Sequence, residues 1–575
     1  MGDPRSAAVR AGVSAILDGF DRYLARRSDV TRRAADRFRR RDWAGTQADA
    51  RERLDLRDQA MLETVGGVRA ELGGAARERA IWARMKERFA AEVAPRSEGE
   101  IATTFFSSVT RRVFETTGID PDIEFLSPGL PRTEAGGEPV HLRFPRRLTS
   151  AALLGDVLAA FPLGVPWADL DAELALAGAE LDHHLRLLDD RQPVDAAEVI
   201  RAVFFRGKGA YLVGRLRRGA RLTPLVLSLV HEADGLHLDA ALFTHEEASI
   251  VFSFTRAYFH VDVDRPGDLV AFLATLLPHK RTSELYAAIG FEKHAKTELY
   301  REVVRHLAET GERFVPARGD RGLVMSVFTL PSLDVIFKVI KDRFPPPKQT
   351  TRREIMAKYR HVFHHDRAGR LVDAAEFERL AFPVDRFSEP VLAELSALCG
   401  ETVRARGDRL ELAHAYLERR VTPLNLLVRE VDEWTARLAV LDFGQALRDL
   451  AATNTFPGDM LLKNFGVTRQ GRVIFYDYDE LALLTDCQFR DLPAARDDGE
   501  ETSGEPWFYV GDRDIFPAEF LPFLGLQGRL REVFLAAHGD LLGARSWREY
   551  QERIRAGEIM DIYPYPEAQR LRHAR

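Results

Sequence analysis

Three short segments carry side chains whose types and spacing suit the handling of phosphate. In Val335-Ile336-Phe337-Lys338-Val339-Ile340 one lysine sits inside an otherwise apolar run. An ammonium in such a strand must face an anion or suffer a large desolvation penalty, so Lys338 is a candidate phosphate ligand. In Asp459-Met460-Leu461-Leu462-Lys463-Asn464 the spacing allows Asp459 to orient an attacking hydroxyl while Asn464 holds a metal ion. Val473-Ile474-Phe475-Tyr476-Asp477-Tyr478-Asp479 is an apolar strand ending in two carboxylates, the hard oxygen ligands that Mg²⁺ takes. Asp477 follows Asn464 across a short hairpin outlined by Gly466-Val467 and Gly471-Arg472. Taken singly, each has a plainer explanation. Lys338 could be an edge lysine or half of a structural ion pair, and Asp459 and Asn464 could be turn formers. Together, and in this order, they describe one phosphoryl-transfer site.

Elements must position these groups. Residues 1–115 carry helical stripes, with Ile16, Phe20 and Tyr23 in one and Leu62, Val65 and Val68 in another. Residues 121–145 are dense in Pro and Gly and read as a loop. Residues 193–265 have strand texture, with Asp234-Gly235 as a hairpin turn and 250–263 rich in β-branched and aromatic residues. Helical patterning returns over 267–309. Beyond Phe314 come a glycine-containing turn, an extended run at 323–329, the Lys338 strand and the block Pro345-Pro346-Pro347. Helices follow, then a short strand near 414–417, then mostly helix. The expected fold class is α+β. A mixed, mainly helical domain over 1–310 precedes a bilobal protein-kinase-like domain over 311–575.

Composition narrows the classes further. Hydrophobic residues make up 45% and charged residues 30%, an ordinary globular balance. The net charge is −6, from 82 basic and 88 acidic residues, so no overall field draws the chain to nucleic acid or to an anionic membrane. The basic run Arg37, Arg39, Arg40 and Arg41 reads as a solvated helix face. No apolar run approaches the roughly 18 residues of a membrane span, and residues 1–30 lack the apolar core of a signal peptide. Two cysteines, Cys399 and Cys487, without metal-ligand spacing, fit a reducing cytoplasm.

Several features depart from the common kinase pattern. The turn Ala317-Arg318-Gly319-Asp320-Arg321-Gly322-Leu323 has two glycines, enough to present backbone N–H groups to phosphate. Pro457-Gly458 replaces His-Arg ahead of Asp459, Asp477-Tyr478-Asp479 replaces Asp-Phe-Gly, and no Ala-Pro-Glu follows. Control through an ordinary activation loop is therefore not expected. Glu354 is a candidate partner for Lys338, though a surface glutamate is the simpler reading. Leu417 and Glu418 fall at the expected inter-lobe hinge. Residues 497–505 read as an acidic surface loop.

These departures form a pattern of their own. Phe328-Thr329-Leu330-Pro331-Ser332, Phe337-Lys338-Val339-Ile340-Lys341-Asp342 and Phe456-Pro457-Gly458-Asp459-Met460-Leu461 resemble the isocitrate dehydrogenase kinase/phosphatase family. So do Lys463-Asn464-Phe465-Gly466-Val467, Phe475-Tyr476-Asp477-Tyr478-Asp479-Glu480 and Phe489-Arg490-Asp491-Leu492-Pro493. The resemblance implies a cytoplasmic bifunctional enzyme. It would phosphorylate a serine of NADP-dependent isocitrate dehydrogenase and remove that phosphate again, dividing carbon between the citric acid cycle and the glyoxylate bypass. It also implies that ATP or ADP binds at Ala317, Arg318, Gly319, Asp320, Arg321, Gly322, Leu323 and Lys338. Asp373 would serve the phosphatase, and the N-terminal domain would be regulatory, responding to AMP. Under this reading Mg²⁺ or Mn²⁺ sits on Asn464 and Asp477, Asp459 handles the serine proton, and a homodimer is admitted. By its own sequence Asp373 reads as a helix N-cap ahead of Ala374-Ala375-Glu376-Phe377. Two rivals remain at this stage: a small-molecule phosphotransferase, and a non-catalytic ATP-binding scaffold. Intact Lys338, Asp459, Asn464 and Asp477 count against the second.

Overall fold

Helical stripes at the chain's start pair with one another. In the computed structural model, which describes residues 4–126, 138–188, 192–253, 258–346, 348, 350–365, 367–493 and 508–571, helix α1 (Pro4–Arg40) turns back through Asp42 into α2 (Trp43–Leu72). The Asp42 carboxylate caps α2 by accepting the Gly45 N–H at 2.8 Å. Helices α3 (Arg79–Val93) and α4 (Gly99–Phe114) close a bundle around Ile16, Phe20, Tyr23, Val65, Val68 and Phe105. Leu62 departs from its expected stripe. It is 62% exposed, and neighbouring Met61 occupies the core instead. The basic run ending α1 is partly paired, with Arg37 on Asp42 and Asp49 and Arg39 on Asp36.

The strand-rich region forms an antiparallel sheet. Strand β1 (His141–Pro145) lies inside the expected loop and is followed by α5 (Ser150–Ala159) and α6 (Leu170–Leu187). Then come β2 (Ala196–Ile200), β3 (Phe204–Arg206), β4 (Gly209–Arg218), β5 (Arg221–His231) and β6 (Leu236–Leu242), ordered β1-β2-β4-β5-β6 with β3 on β4. Asp234-Gly235 does turn β5 into β6. Among the described residues of 250–263 the expected strand does not form as such. Thr244 and Glu247 make a reciprocal capping box that starts helix α7 (His245–Val251), and local capping outweighs the β-branched composition. Of the remainder, His260 makes a single bridge to Phe205. Helices α8 (Pro266–Leu276), α9 (Thr282–Ala288) and α10 (Glu292–Glu309) follow.

Past α10 a second antiparallel sheet begins. It comprises β7 (Val315–Pro316), β8 (Met325–Thr329), β9 (Val335–Ile340), β10 (Ala374–Pro383), β11 (Val403–Arg406) and β12 (Arg409–Arg419), ordered β10-β12-β9-β8-β7 with β11 on β12. Helices α11 (Arg352–His365) and α12 (Glu389–Leu398) interrupt it. Residues 374–377 are therefore strand, and Asp373 is not a helix N-cap: pairing with β12 along the length of β10 outweighs the local alanine signal. The second lobe opens with β13 (Thr422–Pro423), α13 (Leu424–Glu430) and α14 (Glu433–Ala452). Short strands β14 (Thr455–Phe456), β15 (Phe465–Val467), β16 (Val473–Phe475) and β17 (Ala482–Leu483) then frame the Asp459 and Asp477 segments. Three helices between Phe520 and Arg555 complete a core around Trp547.

Two contacts tie the halves together. Helix α10 buries Leu299, Tyr300, Val303 and Leu307 in the aromatic core beneath β7–β9, with Phe314, Phe337 and Phe382. The C-terminal segment returns to the first sheet, where Tyr565 Oη donates to Asp239 at 2.7 Å and Arg570 pairs with Asp239 at 2.8 Å. Both cysteines are buried and free, and among the described residues no helix is long and apolar enough to cross a membrane.

Candidate functional site

Strand alternation decides where Lys338 points. Phe337 and Val339 enter the aromatic core, so Lys338 faces the other way and is only 6% exposed. Its Nζ lies 2.7 Å from Glu418 Oε2 and donates to the Tyr476 carbonyl at 2.8 Å. Register explains the pair. Tyr416 stands opposite Lys338 and Glu418 opposite Ile336, which puts all four side chains on one face of adjacent strands. Burial raises the Glu418 pKa above the usual carboxylate range, with the Lys338 charge opposing that shift. Glu418 Oε1 has no hydrogen-bond partner among the described residues. Glu354, the helix candidate for this role, caps its own helix by accepting the Thr351 N–H at 2.8 Å. The lysine's partner therefore comes from β12, and Glu418 is a strand residue rather than a hinge residue.

The Asp459 loop is shaped by a glycine. Gly458 has φ +78°, and a Cβ there would sit 2.3 Å from the Glu480 carbonyl oxygen. Pro457-Gly458 thus allows the loop to pack against the segment carrying the acidic strand end. Asp459 Oδ1 accepts the Leu461 N–H at 3.2 Å, and Asn464 Nδ2 donates to the Asp459 carbonyl at 3.3 Å. The expected hairpin is present, with Phe465 opposite Phe475. Asn464, one residue before β15, and Asp477, two residues after β16, therefore lie at the same end of the hairpin. The Asn464 carbonyl accepts the Tyr476 N–H at 3.1 Å.

Two carboxylates crowd that end. Burial first, then a hydrogen bond with Asp479 and the charge of Asp479, push the Asp477 pKa well above the ordinary range. Burial also disfavours charge on Asp479, but its hydrogen bond with Asp477 and the Lys348 ammonium at 3.0 Å hold it low. The crowding thus favours a shared proton on the pair, and a cation bound there would compete with it. Among the described residues no three His, Cys, Asp or Glu side chains cluster as metal ligands. Asn464 and Asp477 nevertheless fit Mg²⁺, which commonly uses one or two protein oxygens plus substrate phosphates and water.

A short strap brings in Asp373. Buried Arg370 anchors it through Asp442 and Asp449, both at 2.7 Å. The Phe475 N–H donates to the Arg370 carbonyl at 2.7 Å, and the Val372 N–H to the Phe475 carbonyl at 3.0 Å. Tyr478, standing where Asp-Phe-Gly has phenylalanine, donates its hydroxyl to the Val372 carbonyl at 2.5 Å. Asp373 thereby adjoins the end of β16. Because Ala374 pairs opposite Glu418, Asp373 also lies close enough for its charge to raise the Glu418 pKa further.

The turn 317–323 joins β7 to β8, where the Ala317 N–H donates to the Val327 carbonyl at 3.1 Å. Arg318, Gly319, Asp320, Arg321, Gly322 and Leu323 are exposed. Arg318 pairs with Glu430, and Lys341 donates to the Gly322 carbonyl at 2.6 Å. Gly319 has φ +121° and approaches Pro423, while the Asp320 charge reaches the Tyr476 hydroxyl. The turn therefore lies over the Lys338–Tyr476 contact. Sequence reading missed Glu418 as the lysine's partner, along with Lys348 and Arg370. A glutamate ending Ala415-Tyr416-Leu417 was a usable signal, because it continues the alternation of a buried strand. The acidic stretch 497–505 lies outside the described residues.

Comparison with known proteins covers the chain almost end to end. Residues 13–311 match the family profile described as isocitrate dehydrogenase kinase/phosphatase (AceK), regulatory domain. Residues 312–567 match the kinase domain of the same family. A protein of Anaeromyxobacter sp. (strain Fw109-5) named isocitrate dehydrogenase kinase/phosphatase is 65% identical over 573 residues, covering 100% of both chains. One of the same name from Anaeromyxobacter dehalogenans (strain 2CP-C) is 62% identical, again covering 100% of each. One from Xanthomonas euvesicatoria pv. vesicatoria (strain 85-10) is 42% identical, covering 97% of this chain and 96% of its own.

Proposed function

The chain belongs to the isocitrate dehydrogenase kinase/phosphatase family, and from that membership we propose how its own residues carry out the two activities. It is a kinase and phosphatase acting on isocitrate dehydrogenase. In our reading the acceptor is a serine of the NADP-dependent enzyme, and the cycle of modification divides carbon between the citric acid cycle and the glyoxylate bypass.

In the kinase direction the turn 317–323 offers backbone N–H groups to the ATP phosphates, and Lys338, steadied by Glu418, neutralises them. Asp459 accepts the serine proton as the new O–P bond forms and the bond from the γ-phosphorus to ADP breaks. A divalent ion held by Asn464 and Asp477 would supply further charge neutralisation. In the phosphatase direction Asp373 orients the water that attacks the phosphoserine. AMP acts as an effector through the regulatory half. The observation that carries this reading is one chain of contacts: Glu418 to Lys338, Lys338 to Tyr476, Tyr476 to Asn464, Asn464 to Asp459. It joins four separate segments into one run of contacts.

The test follows the dehydrogenase's activity and intact mass during incubation with the protein and MgATP. One added phosphate with loss of activity, reversed when ADP and AMP replace ATP, is the expected result. Asp373→Ala should lose the reversal while keeping most of the forward reaction. An unchanged mass with the wild type would point to another acceptor, and equal losses in both directions would make Asp373 a shared structural group.

A further inference from the structure

In the common kinase plan a glutamate on the helix after the lysine strand reaches that lysine. Here α11 follows β9, its one acidic residue, Glu354, caps its own start, and Glu418 of β12 holds Lys338 instead. What this side of the lobe does reach is the acidic strand end. Lys348, between β9 and α11, lies 3.0 Å from Asp479 Oδ2 and 2.6 Å from Glu480 Oε1. Lys358, in the second turn of α11, donates to the Asp479 carbonyl. Tyr359, the next residue, stacks on Tyr416 of β12 with ring centroids 4.1 Å apart and meets the Tyr478 ring at a steep angle at 4.9 Å.

Asp479 is therefore gripped by two lysines, one at its side chain and one at its carbonyl. It is 8% exposed, and its carboxylate also shares a hydrogen bond with Asp477. A carboxylate held in this way cannot swing freely, so it fixes the neighbour bonded to it. Lys348, Asp479 and Asp477 form a line that ends where the β15–β16 hairpin presents Asn464 and Asp477 together. Lys338 is held separately, by Glu418 and the Tyr476 carbonyl.

We propose that Lys348 is a positioning residue for the divalent ion: it fixes Asp479, and Asp479 orients the Asp477 carboxylate toward the cation. The outer partners of a metal-ligating carboxylate set its direction, and losing one weakens metal binding by roughly 10–100-fold. Direction matters all the more for Mg²⁺, which demands near-octahedral placement of a few protein oxygens. The segment after the lysine strand thus supports the metal end of the site in place of the lysine. This inference rests on the assignment of Asn464 and Asp477 to a divalent ion under the proposed function, and adds the residue that aims one of them.

The test is calorimetric titration of the full chain with ADP at a series of fixed Mg²⁺ concentrations. In the wild type Mg²⁺ should tighten ADP binding. In Lys348→Met the Mg²⁺ concentration that gives half of that gain should rise roughly tenfold or more. Its affinity for ADP without metal should stay near that of the wild type, because Lys338 and Glu418 are untouched. Lys348→Arg, which keeps a cation beside Asp479, should recover most of the response. Glu480→Gln, which removes only the more exposed of the two carboxylates, should shift the Mg²⁺ requirement by no more than about twofold. In kinase assays the Lys348→Met loss should appear in the Mg²⁺ requirement rather than in kcat. A wild-type Mg²⁺ response in Lys348→Met, with the response lost in Asp477→Asn, would overturn this inference and leave the metal assignment standing. A wild-type response in both variants would remove Asp477 from the metal, and the inference with it. Loss of metal-free ADP binding in Lys348→Met would make Lys348 a support of the whole site and would overturn the positioning role.

Discussion

Lys338 shows how a residue's role depends on which neighbour compensates it. An ammonium at 6% exposure needs a fixed anion, and Glu418 at 2.7 Å supplies one from the adjacent strand. Glu418→Ala should therefore abolish phosphorylation and cost about 3–5 kcal/mol of stability, because it leaves a buried charge unpaired. Glu354→Ala should leave kinase rates within about twofold, since that side chain serves only its own helix start. Matching kinetic losses in the two variants would restore the helix glutamate as partner. The Asp477–Asp479 pair makes a pH prediction. The folded pKa of Asp477 is raised, so its contribution to stability is present below the unfolded value near 3.8 and is lost as pH rises through the folded value. Asp479 is lowered and behaves in the opposite sense, losing its contribution as pH falls. Binding of Mg²⁺ should therefore expel a proton from the pair. Titrations in buffers of different ionisation enthalpy should differ for the wild type and agree for Asp477→Asn. Equal heats for the wild type in all buffers would remove the shared proton.

At the scale of elements, strand register does most of the positioning. The β15–β16 hairpin carries Asn464 and Asp477 to one end, and pairing of β10 with β12 brings Asp373 beside Glu418. Gly458 allows the loop between α14 and β15 to fit against Glu480. Gly458→Ala should cost about 1–3 kcal/mol for the backbone conformation alone, with a further penalty from the 2.3 Å approach to the Glu480 carbonyl. Both activities should fall together in that variant while the N-terminal half stays folded. Loss of one activity alone would show that the loop is not shared. Much of this was readable in advance. The Lys338 strand, the hairpin and the Asp234-Gly235 turn are short-range patterns, and each formed where the sequence placed it. Strand β10 and helix α7 were misread for opposite reasons. Pairing with a distant strand outweighed local helix signals in the first, and a local capping box outweighed strand composition in the second.

Over the whole molecule, the two halves are stitched in both directions. Helix α10 supplies core to the kinase sheet, and the C-terminal segment buries Tyr565 and Arg570 against Asp239 of the first sheet. Asp239 is fully buried, so Arg570→Ala should cost about 3 kcal/mol or more, seen as a lower denaturant midpoint for the N-terminal sheet. Replacing Asp239 by Asn and Arg570 by Met together should cost less than Arg570→Ala alone, because no unpaired charge remains. A double variant as unstable as the single one would locate the effect in packing instead of charge.

The sequence by itself determined the family: Lys338, Asp459, Asn464 and Asp477 stand in an order and among flanking residues specific enough to indicate it. Those signals survive in one dimension because each sits within a strand or a tight loop of a few residues. Only the tertiary structure decided that Glu418 holds Lys338, that Arg370 anchors the Asp373 strap, and that the C-terminal segment returns to Asp239 of the first sheet. Each of those depends on strand register or on the return of the chain end. A one-residue slip in register would turn Glu418 to the opposite face without altering any local pattern that the sequence displays.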